Sequence, residues 1–109
     1  MLAERIERGY NIYPELAGKL QRSPSEYFRS MYYDTVPCGS FGIPATYELA
    51  GPERILVGSD YPHQIGDLMA CTDVIEAMNV IDGEKDQMLG GNMERLLARQ
   101  PVANDSARV

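Results

Sequence analysis

Three side chains with chemistry to offer stand close together near the middle of the chain. They are Asp60, Tyr61 and His63, in the run Arg54-Ile55-Leu56-Val57-Gly58-Ser59-Asp60-Tyr61-Pro62-His63. The apolar triplet 55–57 reads as a buried strand, ended sharply by Gly58 and Pro62. Asp60 then lies at the strand's C-terminal mouth, with Tyr61 and His63 on the following loop. In α/β architectures ligands and metal ions bind at that mouth. The same spacing also suits a strand end followed by an ordinary Asx turn. Spacing alone does not choose between the two.

The elements that must position these residues are legible in outline. Residues 1–9 form a charged helical segment with Gly9 as its C-cap, and 10–21, with Pro14 and Gly18, read as irregular. Ser23-Pro24-Ser25-Glu26 starts a helix: Ser23 as N-cap, Pro24 at the first helical position, Glu26 closing a capping box. Residues 31–35 are rich in aromatic and β-favouring types and bounded by Pro37, which predicts a strand ending near Asp34. A helix over 42–50 follows, ended by Gly51-Pro52, and then the Ile55 strand. Leu68, Cys71, Val74, Ile75 and Met78 recur at helical spacing and predict a helix over 68–78. Asp82 caps a further helix broken by Gly90-Gly91, and Asn92 caps a last one to Arg99. Met69, Met78, Met88 and Met93 read as core residues of these helices. Residues 1–100 are expected to fold, and the polar stretch 101–109 to be a disordered tail. The alternation of strand and helix implies an α/β protein with parallel strands, joined by a right-handed crossover.

Composition narrows the partners. The chain has 109 residues, a net charge of −6 and no cluster of Lys and Arg, which argues against nucleic acid. No run of about 18 apolar residues occurs, so no membrane span is expected. Residues 1–9 lack the apolar centre of a signal peptide, and the expected location is cytoplasmic. Cys38 and Cys71 fit no metal or redox spacing and read as buried free thiols.

Gly58-Ser59-Asp60-Tyr61-Pro62-His63 after an apolar strand resembles the eighth-strand motif of the amidohydrolase-related (amidohydrolase 2) family. That family includes aminocarboxymuconate-semialdehyde decarboxylase, the resorcylate decarboxylases and related hydrolases. Tyr32-Tyr33-Asp34-Thr35 is similar to its seventh strand, Gly51-Pro52-Glu53-Arg54 to the connector into strand eight, and Gly90-Gly91-Asn92-Met93-Glu94-Arg95-Leu96-Leu97 to its closing helix. The four segments stand in the family's order. The resemblance implies that the chain is the last two βα units of a metal-dependent hydrolase (β/α)₈ TIM barrel.

On that resemblance Asp60 ligates a divalent metal, zinc by preference, or takes a proton from metal-bound water; a hard anionic oxygen suits both tasks. Arg5 matches an arginine that reaches across a dimer interface to the substrate carboxylate, and it also reads as a solvated helix residue. His63 reads as a substrate contact or a solvated loop residue, and Asp34 as an orienting group. The family's metal further needs a His-x-His pair and two more histidines. His63 is the chain's single histidine.

A barrel takes about 250 residues, so the expectation is a C-terminal part, inactive alone, of an enzyme acting on a small carboxylated substrate by hydrolysis or decarboxylation. The alternative is a non-catalytic remnant or interaction subunit, and a more distant one an unrelated small α/β binding domain. Two parallel strands with open edges predict a homo-oligomer, or association with the missing part of the barrel.

Overall fold

The computed structural model describes residues 2–16, 18–36 and 39–99. The elements run α1 Leu2–Ile12, α2 Pro24–Ser30, β1 Tyr33–Asp34, α3 Gly42–Ala50, a 3₁₀ turn Pro52–Arg54, β2 Ile55–Leu56, α4 Ala70–Glu76, α5 Asp82–Asp86, a π turn Gln87–Gly91 and α6 Asn92–Arg99. The two strands pair in parallel, Tyr33 with Ile55 and Asp34 with Leu56. They are connected through α3, as the alternation predicts. The strands are shorter than expected. Residues 101–109 and Cys38 lie outside the described residues; Cys71 is free and buried.

The core is a cluster of Ile43, Ile55, Ile75 and Met88, with Tyr47, Val57, Val74, Met78, Val80 and Leu89 packed around it. α3 gives it Ile43 and Tyr47, α4 gives Val74 and Ile75, and the π turn gives Met88 and Leu89. α3 ends where Gly51 adopts φ +84 and its N–H bonds the carbonyl of Tyr47, a conformation that glycine takes without strain. α2 carries the full capping box predicted, Ser23 with Glu26 in both directions.

Several expectations are corrected. α1 does not stop at Gly9 but runs on to Ile12, because Gly9 keeps a negative φ instead of a left-handed cap and its carbonyl accepts the N–H of Tyr13 at 3.1 Å. α4 starts two residues late because the Asp67 carboxylate accepts the N–H groups of Met69 and Ala70, so Leu68 and Met69 belong to the cap and are exposed. Met88 and Met78 are core residues as read, while Met69 and Met93 are not. Asp82 stands one residue inside α5, with Ile81 at the cap position.

Gly90-Gly91 do not break the last helix. The backbone widens there into a π turn, the N–H of Asn92 reaching the carbonyl of Gln87, and continues as α6. Asn92 is therefore no cap. It is wholly buried, and its amide donates to the carbonyls of Pro52 at 2.7 Å and Ile55 at 2.8 Å. That tertiary bond fixes the entry of β2 and holds the helix together through its glycines.

Candidate functional site at the strand mouths

Parallel pairing puts the C-terminal ends of β1 and β2, and with them Asp34 and the loop that carries Asp60, at one sheet edge. The edge is clamped by Thr35, wholly buried, whose hydroxyl donates to the carbonyl of Gly58 at 3.1 Å and accepts its N–H at 3.2 Å. Asp34 lies against the same glycine: a Cβ on Gly58 would stand 3.1 Å from the Cβ of Asp34. The Asp34 carboxylate accepts the N–H of Val36 at 3.1 Å.

Beyond Gly58 the chain closes a tight loop over residues 59–67. Asp60 adopts φ +56, a left-handed conformation that Asp and Asn accept more readily than other side chains. Its carbonyl accepts the N–H of His63 at 2.8 Å, the His63 carbonyl accepts that of Gly66 at 2.9 Å, and Asp67 N–H returns to Ser59 at 3.1 Å. Gly66 permits the closure, since a Cβ there would meet the carbonyl oxygens of Ser59 and Asp60 at 2.6 and 2.7 Å. The Tyr61–Pro62 peptide bond is cis.

The loop brings two of the three predicted site residues together. Asp60 Oδ2 stands 3.9 Å from His63 Nδ1, with side chains 47% and 64% exposed. A carboxylate and an imidazole thus face solvent at the strand mouth, available to a ligand. Arg5 is elsewhere, exposed on α1, whose main packing partner is α2. The residues that sequence reasoning missed are Gly66, Asp67 and Thr35. A glycine followed by an aspartate just ahead of an apolar helical stripe was the available signal for the loop's closure and the cap of α4.

The donor set is short for a metal ion. Among the described residues no group of three or more His, Cys, Asp or Glu could hold one. Asp60 and His63 supply two donors, and a catalytic zinc site uses three protein ligands plus an open position. These residues do not by themselves fit the divalent metal that the resemblance implies. No described helix is long and apolar enough to cross a membrane.

No protein-family model matches the chain. Among curated proteins it is similar to 2-amino-3-carboxymuconate-6-semialdehyde decarboxylase of Dictyostelium discoideum, 26% identical over 98 residues that make up 89% of this chain and 27% of that protein. The enzyme of the same name from Caenorhabditis elegans is 26% identical over 94 residues, 85% of this chain and 23% of that one. The chain therefore spans about a quarter of the length of the curated relatives it matches. Among solved structures it is similar to 5-carboxyvanillate decarboxylase of Sphingomonas paucimobilis, with a TM-score of 0.73 and 24% identity over 88% of this chain and 29% of that one. The IDCase of Metarhizium anisopliae gives 0.71 and 23% over 89% and 30%. These two likenesses show the fold: β1, β2 and their helices match part of a larger α/β barrel.

Proposed function

Because the chain resembles aminocarboxymuconate-semialdehyde decarboxylases of the amidohydrolase-related family along most of its own length, we propose that it carries one wall of a decarboxylase active site. The substrate class is a small carboxylated molecule. The chain corresponds to the last two βα units of the barrel, and the remaining wall comes from polypeptide it does not contain. The observation that carries this reading is the placement of Asp60: a solvent-facing carboxylate at the mouth of a parallel strand, 3.9 Å from His63, on a fold matched to decarboxylase barrels.

Asp60 is the candidate catalytic residue and one ligand of a divalent metal, with zinc as the expected ion. His63 and Arg5 are candidates for the substrate. The relatives' names favour decarboxylation over hydrolysis. The short donor set favours a second reading as well, a subunit that keeps the barrel's shape without its metal.

Co-expression separates the two. The chain is produced together with the first three-quarters of a decarboxylase barrel of the same kind, and release of CO₂ from a carboxylated substrate is followed. On the catalytic reading turnover appears with both pieces and is lost with Asp60→Ala. Turnover that is indifferent to Asp60→Ala would assign the chain a scaffolding role instead.

A further inference from the structure

Gly58 is the joint between β2 and the loop that carries Asp60, and close packing keeps it a glycine. A Cβ there would stand 3.1 Å from the Cβ of Asp34 and 3.3 Å from Cγ2 of Val36, nearer than packed carbon atoms settle. The same lack of a side chain makes it the residue with the most backbone freedom to lose. The ladder between the strands does not reach it, since the last pair is Asp34 with Leu56. Without a further restraint the peptide planes on either side of Gly58 would rotate, and the loop would swing with them.

The Thr35 hydroxyl supplies that restraint. It accepts the N–H of Gly58 at 3.2 Å and donates to the Gly58 carbonyl at 3.1 Å, so one side-chain oxygen holds the peptide planes on both sides of the joint. Thr35 is itself wholly buried, and its β-branched side chain is stiff at χ1. The loop beyond is a closed unit, tied by the Asp67 N–H on the Ser59 carbonyl. Its outgoing end is fixed to α4 by the Asp67 carboxylate, and its incoming end by Thr35 through Gly58. Asp60 stands two residues past that joint, at φ +56.

We infer that Thr35 is a positioning residue for the proposed decarboxylation: its hydroxyl locks the Gly58 joint and thereby sets where the Asp60 carboxylate stands at the strand mouth. Buried behind that joint, Thr35 acts through Asp60 and touches no substrate. The inference rests on the reading of Asp60 given above. A displacement of about 1 Å at a reacting centre can cost about 100-fold in rate, which is why a residue behind the site can govern turnover.

Two variants separate the hydroxyl from the space it fills. Thr35→Val keeps the shape and removes the hydroxyl, and Thr35→Ser keeps the hydroxyl and removes a methyl. In NMR spectra of the 109-residue chain, the Gly58 amide should exchange about tenfold faster in Thr35→Val. The backbone coupling of Asp60, which reports its φ of +56, should move toward an averaged value. Thr35→Ser should restore both. In the co-expressed assembly described above, turnover should fall about 10- to 100-fold for Thr35→Val and stay within about threefold of the parent for Thr35→Ser. Should circular dichroism show Thr35→Val unfolded, Thr35→Cys takes its place, since a thiol is only a weak donor and acceptor. An Asp60 coupling unmoved by loss of the hydroxyl overturns the inference. So does a serine variant as impaired as the valine one, which would credit the methyl, and so does full turnover in Thr35→Val where Asp60→Ala is inactive. Turnover indifferent to Asp60→Ala sinks the decarboxylase reading and the positioning role with it, and that control tells the two failures apart.

Discussion

Asp60 has two reasons to be an aspartate, and they make different predictions. Its φ of +56 favours Asp, Asn or Gly for backbone reasons alone. Asp60→Asn should therefore leave stability within about 0.5 kcal/mol of the parent, while Asp60→Ala should lose about 1 kcal/mol, read from urea unfolding. If the carboxylate also serves chemistry, Asn must fail where the backbone is content, and co-expressed turnover should fall for both variants alike. Activity retained by Asn would reduce Asp60 to a turn residue. Gly66→Ala probes the same loop from its closing side. The added Cβ would meet two backbone oxygens within 2.7 Å, and backbone cannot rotate aside as a flexible side chain can. A loss of about 1–3 kcal/mol is expected, with amide shifts in NMR spectra confined to residues 59–67. The sequence placed Asp60 and His63 on one loop because strand, glycine and proline are local signals. It could not place Thr35 or Gly66, whose roles depend on what the chain brings beside them.

At the level of elements, long-range hydrogen bonds decide the boundaries that local signals leave open. Asn92 is the main case. Its type suited a cap, yet its amide reaches two carbonyls about forty residues back, and Arg95 in turn donates to its side-chain oxygen at 2.8 Å. Asn92→Ala leaves the carbonyls of Pro52 and Ile55 without these donors, and a loss of about 2–3 kcal/mol in thermal or denaturant unfolding is expected. Asn92→Asp should cost more, since a carboxylate would face carbonyl oxygens. Glu7 plays the matching part between α1 and α2: one carboxylate oxygen accepts both the N–H and the hydroxyl of Ser25 at 2.8 Å. The backbone bond first, and the hydroxyl bond second, hold its carboxyl below the usual value of 4.5. A lowered value in the folded state means that the contribution is present above about pH 4.5 and is lost as pH falls through the folded value. Loosening of α1 from α2 should thus set in only as pH falls below about 4.5, and Glu7→Gln should remove that pH-dependent step. The helices α2 and α3 were legible to the residue because cap, proline and glycine signals sit at their ends. α1, α4 and the π turn were not, because Gly9 continues its helix, the Asp67 carboxylate caps α4 late, and the buried Asn92 amide sits where a break was expected.

The described residues form two parallel strands and their helices, where the barrels the chain resembles are about three times its length. Position at a strand mouth is enough to orient Asp60 and His63, but it is not enough to surround a reacting group. Catalysis needs donors aimed from several directions at once, and those directions belong to strands that this chain does not have. The isolated chain is therefore expected to show no measurable decarboxylase turnover and to bind Zn²⁺ weakly, because two donors fall short of three and ordering an open loop opposes binding. Isothermal titration with Zn²⁺, and CO₂ release from a carboxylated substrate, check both halves. Tight binding abolished by Asp60→Ala would mean that a second copy completes the donor set. Such a result would demand an interface that sets two Asp60 loops face to face.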